Sequence, residues 1–249
     1  TAQMLASTDG ASFPFWSPDS HFIAYFQEGK LKKLDIRGGA EIALADAPTG
    51  RGGSWNADGV IVFAPDNRGP LVRVSSGGGT VSKVTDGNTG TQGAPRFPWF
   101  LPDGHHFLFE DLISPGSEEL SLRIGSLESP ETTEVGRGSS NVIYSSGNLL
   151  YLKADTLMSQ PFDPNKRVVK GEAVPIVENT SSLLTIVRKG MFTASDTGLL
   201  VYQAGENRSR LLSWLDRDGK LLGSLGEPGG YSNIEISPDG KRTAALLSE

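Results

Sequence analysis

The sequence predicts an all-β fold, a six-bladed β-propeller of four-stranded antiparallel blades. Three observations predict it: a turn motif repeated six times, a period of forty-odd residues, and apolar strands that do not alternate with polar residues. The motif is an aromatic or apolar stretch that runs into a Pro/Asp/Gly-type turn and out into an apolar strand. Its strong copies are Trp16-Ser-Pro-Asp-Ser20, Trp55-Asn-Ala-Asp-Gly59, Phe100-Leu-Pro-Asp-Gly104 and Ile236-Ser-Pro-Asp-Gly240, with weaker ones at Tyr144-Ser-Ser-Gly147 and Ser195-Asp-Thr-Gly198. Counted between the closing residues of these turns, the intervals are 39, 45, 43, 51 and 42. Strand-rich units at that spacing are the signature of a propeller.

The second repeat shows how each unit is built. Gly53-Ser-Trp-Asn56 is a short inner strand, and Asp58-Gly59 turns the chain because Gly takes positive φ without a Cβ clash. Val60-Ile-Val-Phe63 is apolar at every position, so both faces are buried between neighbouring blades. Leu71–Val74 is the third strand and Val81–Val84 the outer one. Comparable second strands are Phe22–Phe26, Phe107–Phe109, Leu149–Leu152, Leu199–Tyr202 and Thr243–Leu247. No helical periodicity of useful length competes with this pattern.

The whole chain of 249 residues reads as one propeller domain. The blades are expected at about 9–49, 50–92, 93–137, 138–187 and 188–229, with 230–249 joined by 1–8 in the last. The sixth repeat holds only two strands, Tyr231 to Leu247. Ala2–Ala6 is expected to pair beside them and close the ring. That blade then has three strands, or the chain is a piece of a longer protein. The first residue is Thr1 and no signal peptide is visible, which reads as a processed or trimmed product.

Bulk properties exclude several functions. A net charge of -6 and a pI near 5.2 argue against general nucleic-acid binding. No run of 18 apolar residues offers a membrane span. The absence of cysteine rules out disulfides, thiolate catalysis and Cys-based zinc sites. No Gly-x-Ser-x-Gly elbow accompanies the three histidines, His21, His105 and His106, so a serine triad is not expected. Asp216-Arg-Asp-Gly219 has alternating carboxylates before a glycine but lacks the further ligands of a calcium loop, and reads as a hairpin turn. No metal and no cofactor are expected.

The repeated Ser-Pro-Asp-Gly turn after an aromatic strand resembles the TolB-like propeller repeat, over essentially the whole chain. Phe13-Pro-Phe-Trp-Ser-Pro-Asp-Ser20, Lys30-Leu-Lys-Lys-Leu-Asp35, Arg51-Gly-Gly-Ser-Trp-Asn56 and Leu157-Met-Ser-Gln-Pro-Phe-Asp163 are similar to propeller regions attached to bacterial serine/threonine kinases. The resemblance implies a six-bladed ring in a periplasmic or other extracytoplasmic setting, with a binding or scaffold role. It transfers no catalytic residue, since the motif is structural.

The loops leading into the inner strands supply the candidate site. They contribute Arg51, Arg96, Arg137, Arg188 and Lys189 against one nearby acid, Asp9, in a chain that is acidic overall. Arginine forks and Gly-rich backbone suit a carboxylate or phosphate, with Asn141, Tyr231 and Asn233 adding uncharged contacts. Solvated loop charges pointing outward are the plainer reading of the same residues. The expected function is a non-enzymatic ligand- or protein-binding sensor module, taking a protein, peptide or anionic small molecule at the channel mouth. It is expected to be monomeric unless the incomplete blade mediates association. One alternative is a metal-dependent hydrolase of lactonase or esterase type, with Asn141, Asn233 and Glu235 supplying ligands. Another is a structural docking platform.

Overall fold

A computed structural model describes every residue except 1–3, 87–93, 115–116, 181, 184–186, 196, 204–209, 217–219 and 249. The described residues form strands and turns only, and no helix long and apolar enough to cross a membrane occurs among them. Strands β1 (Ser12–Trp16), β2 (Phe22–Gln27), β3 (Lys30–Asp35) and β4 (Ile42–Asp46) make the first antiparallel sheet. The second is β5 (Gly53–Trp55), β6 (Val60–Phe63), β7 (Val72–Ser75) and β8 (Ser82–Lys83). The third is β9 (Arg96–Phe100), β10 (His106–Leu112), β11 (Leu120–Ser126) and β12 (Thr133–Gly138).

The fourth sheet starts with β13 (Ile143–Ser145), β14 (Asn148–Lys153) and β15 (Thr156–Asp163). Its outer edge is shared by β16 (Val168–Val169) and β17 (Val174–Val177), which both pair with β15. A short ribbon of β18 (Ser182–Leu183) and β19 (Lys189–Gly190) leads to the fifth sheet. That sheet is β20 (Phe192–Ala194), β21 (Leu200–Gln203), β22 (Arg210–Leu215), β23 (Leu221–Ile236) and β24 (Thr243–Ser248).

The structure therefore has five blades rather than the expected six. The cause is β23, which runs unbroken for 16 residues. Its first half pairs with β22 and its second half, from Gly230, pairs with β24. The fifth and sixth repeats are thereby fused into one sheet. Six inner segments nevertheless circle the axis, since β1 contacts β5, β5 contacts β9, β9 contacts β13, β13 contacts β20, β20 contacts β23 and β23 contacts β1.

The expected strand at Ala2–Ala6 is a second correction. Ala2 and Gln3 lie outside the described residues, and Met4–Leu5 is not a strand. Leu5 instead packs beside Ala244 and Leu246 on the cluster of Trp16, Ile23 and Tyr25. Side-chain bonds join the first and last repeats: Asn233 Oδ1 accepts the Phe13 N–H (3.2 Å) and the Glu235 carbonyl accepts Trp16 Nε1–H (3.2 Å).

The apolar second strands divide their side chains between two neighbours. Ile61 and Phe63 of β6 pack toward the first blade with Phe26, while Val62 packs toward the third with Phe107 and Phe109. Leu108 then faces the fourth blade with Leu149 and Tyr151, and Leu150 and Leu152 face Phe192 of the fifth. Every core cluster is thus an interface between blades or halves of one, which is why no polar face could be tolerated on these strands.

The motif turns behave as their sequence requires. Ser20, Gly59, Gly104, Gly147, Gly198 and Gly240 all have positive φ, between 58 and 86°. Within them Asp19, Asp103 and Asp239 accept backbone N–H groups two residues on, which holds each loop closed. Truncating Phe63, fully buried between two blades, should cost about 3–5 kcal/mol. Leu247, 61 % exposed, should cost less than about 0.5 kcal/mol when changed to alanine. Urea unfolding of Phe63→Ala and Leu247→Ala checks the contrast.

Candidate functional site: an aromatic cavity beside two phenylalanines

The inner strands carry the residues that define the channel. Phe13-Pro14-Phe15-Trp16 and Phe97-Pro98-Trp99-Phe100 are matching stretches in β1 and β9, each with a bulge opposite its partner strand. Phe13 and Phe97 adopt left-handed φ values of 47 and 48°, which costs a bulky residue energy and re-aims its side chain. Their rings meet edge to face at 5.2 Å. Gly52 of the intervening repeat makes room: a Cβ there would come within 2.5 Å of the Phe97 ring.

On the motif-turn side of this pair lies a cavity of about 680 Å³. Trp16, Trp55, Trp99, Phe100 and Tyr144 wall it, with Pro14 and Pro98 from the strands and Pro18, Pro102 and Pro238 from the turns. Trp55, Trp99, Phe100 and Tyr144 are only partly buried, so they present ring surface to the space. Asp58 and Asp103 stand at its rim.

Lys189, Glu235 and Asn141 also line it. The Lys189 ammonium bonds Glu235 Oε1 at 2.8 Å, and Thr193 Oγ1 donates to Oε2 at 3.0 Å. Lys189 also lies over the Phe97 ring, 5.2 Å from its centroid. Asn141 Oδ1 accepts the Gly190 N–H at 2.9 Å. The sequence pointed to Lys189 as one of several loop cations, but its partner across the chain was not legible.

The arginines do not line this cavity. Arg51 donates to the Thr49 and Gly50 carbonyls and lies over the far ring, Phe13, at 5.9 Å. Arg96 donates to the Asn67 carbonyl and Arg188 to that of Ser117. These three are electrostatic neighbours: burial, then Arg51 and Arg188, pull the Arg96 guanidinium below its ordinary pKa, while Glu110 and Asp111 oppose that pull. Arg137 is not brought to them; it stands on the outer strand β12, paired with Glu134 at 3.2 Å and Glu119 at 3.9 Å. Tyr231 Oη donates to the Glu227 carbonyl.

Sequence reasoning gave Glu110 no part in the site. It pairs in register with Arg96 and is 2 % exposed, and its Oε2 has no hydrogen-bond partner among the described residues. Burial pushes its carboxyl up to about 8, against the attraction of Arg96, Lys189 and Arg188. The charged residue in an otherwise apolar second strand, Phe107-Leu-Phe-Glu110, was the available signal.

The donors proposed for a metal do not fit one. The oxygens of Asn141 and Asn233 already accept backbone N–H groups, and an ammonium sits on Glu235. Among the described residues no three His, Cys, Asp or Glu side chains group around a common point. His21, His105 and His106 pair separately with Asp19, Glu128 and Asp103. Of the candidate calcium loop, Asp216 closes a hairpin by accepting the Lys220 N–H, and residues 217–219 lie outside the described residues.

Comparison with known proteins identifies the fold. In sequence the chain matches no family model and no curated protein. In structure it resembles the calcium-binding protein regucalcin from Agrobacterium tumefaciens, at 16 % identity and a TM-score of 0.71, over 94 % of this chain and 81 % of that one. It also resembles a putative TolB from Agrobacterium tumefaciens, at 16 % identity and 0.67, over 96 % and 91 %. A gluconolactonase from Xanthomonas campestris aligns at 15 % identity and 0.71, over 96 % and 83 %. The TolB-like propeller fold is thus supported; identities this low carry the fold alone.

The Glu110 titration gives a stability prediction with a definite sign. An unfolded glutamate has its ordinary value of 4.5, and the folded group titrates at about 8. Between these the native state holds one more proton at this site, so the contribution of Glu110 to stability is fully present below about 4.5 and is lost as pH rises toward 8. The loss is on the order of 1 kcal/mol per pH unit in that window. Glu110→Gln should flatten the curve of urea-unfolding free energy against pH between 5 and 8, relative to wild type.

Proposed function

We propose that this chain is a non-enzymatic ligand-binding propeller module whose binding site is the aromatic funnel on the motif-turn side. One observation carries the choice over a metal-dependent hydrolase: the Lys189 ammonium on Glu235, where that alternative needs a metal cation. A second cation beside it is repelled, and displacing the lysine leaves a buried charge unpaired. A cavity of about 680 Å³ is within the range that holds small ligands. Phe13 and Phe97 are in contact in its lining, and its size suits a small molecule or the end of a longer one. Regucalcin and gluconolactonase among the similar folds keep the hydrolase as the alternative that experiment must address.

The remaining sequence expectations stand as proposals beside this one. Arg51, Arg96 and Arg188 form a candidate anion site on the opposite side, and the TolB likeness supports an extracytoplasmic setting. The similarity of Phe13–Ser20 and Leu157–Asp163 to kinase-attached propellers supports a module within a longer bacterial sensor.

A neutral environment-sensitive dye, N-phenyl-1-naphthylamine, should brighten on adding the protein. Ala57→Trp, which fills the exposed rim without touching the core, should abolish the signal. Esters and lactones should show no turnover with added calcium, zinc or manganese. Chelator-sensitive turnover that disappears on changing Asn141, Asn233 or Glu235 would reverse the ranking in favour of the hydrolase.

A further inference from the structure

We infer that the funnel selects an alkylammonium group, held over its aromatic walls and beneath the carboxylate of Asp58. The inference rests on the funnel being the binding site and adds the chemical class of what it binds.

The charge of the lining points that way. Lys189 and Glu235 neutralise each other, 2.8 Å apart, and the remaining charged residues in the lining are Asp58 and Asp103. Asp103 is partly engaged, accepting the His105 and His106 amides and the His106 ring nitrogen at 2.6 Å. Asp58 is exposed and makes no hydrogen bond or ion pair among the described residues. Its charge acts on His105, which is itself bonded to Glu128. The walls add to this negative potential, because the face of an aromatic ring carries partial negative charge.

The protein already sets its own ammonium groups against ring faces, one of them with a carboxylate beside it. Lys189 combines a carboxylate at 2.8 Å with the Phe97 ring at 5.2 Å, and Lys33 lies 5.4 Å from the Phe22 centroid and 6.0 Å from that of Trp55. Trp99, Phe100 and Tyr144 present partly exposed rings in the same channel with no cation over them among the described residues. An ammonium with alkyl substituents fits both halves of such a site. It loses less hydration than a metal ion, and its alkyl groups pack on the rings while its charge faces Asp58. A carboxylate or phosphate would meet like charge at the rim and ring faces on the walls.

The test measures displacement of N-phenyl-1-naphthylamine by choline and by its neutral isostere, 3,3-dimethylbutan-1-ol. Choline should displace the dye at a roughly ten-fold lower concentration than the isostere. Asp58→Asn, a change at an exposed position that leaves the core intact, should weaken choline by roughly three-fold or more and leave the isostere unchanged. N-acetyl-lysine methylamide and its trimethylated form, run in parallel, tell a free ammonium compound from one borne on a peptide; binding by either supports the class. Equal potency of choline and isostere, or an Asp58→Asn variant that binds choline as wild type does, overturns the ammonium class while the dye still marks the funnel. Failure of the dye itself to bind overturns the funnel as a site.

Discussion

The ring stands on its seam. A propeller is a linear series of sheets bent until the first meets the last, and the two ends must attract each other enough to hold the curve. Here the seam lies between β1 and the second half of β23. It is made by Leu5, Trp16, Ile23 and Tyr25 packing with Ala244 and Leu246, and by two hydrogen bonds that join the Phe13 amide and the Trp16 indole to Asn233 and Glu235. The unbroken β23 strengthens this arrangement. Because one strand belongs to both the fifth and sixth repeats, the closing pair is held to the rest of the ring by a continuous backbone ladder.

That seam also sets the chemistry of the channel. Asn233 and Glu235 are the buried polar residues of the closing strand, and closure occupies them. Asn233 caps a left-handed Phe13, while Glu235 holds Lys189 and Thr193 from the adjoining repeat. With Asn141 bound to the Gly190 amide, the oxygens that might have faced a metal face the protein instead. Two environments adjoin near the Phe13–Phe97 contact. One is aromatic, with Asp58 and Asp103 in its lining. The other is the buried Glu110, on which Arg96, Lys189 and Arg188 act, with Arg51 and Arg188 acting in turn on Arg96.

Much of the fold was legible because it rests on local rules. Positive φ at Gly59, Gly104 and Gly240 follows from the Asp-Gly turns, and the non-alternating Val60–Phe63 strand implied two buried faces before any neighbour was known. The blade count was not legible, because nothing local marks where β23 should end; Gly229-Gly230 reads as a break yet continues the strand. The candidate site was half legible. The charges of Arg51 and Arg188 act on Arg96, while Arg137 answers to Glu134 on its own sheet edge, a pairing set by register rather than by sequence proximity to the loop. The funnel itself was hidden because its walls are the repeat motif: Trp16, Trp55 and Phe100 read as structural residues, and the partial exposure of Trp55 and Phe100 depends on how far the ring opens.

The asparagine oxygens of the channel are committed to holding the ring together. Native-state hydrogen exchange at the Phe13 and Gly190 amides tests it directly, because each donates to one of those oxygens. Both should exchange only through global unfolding, as slowly as the core amide of Val62, and millimolar calcium should leave their rates unchanged. Exchange at either amide much faster than at Val62, or a rate that changes when calcium is added, would contradict the account.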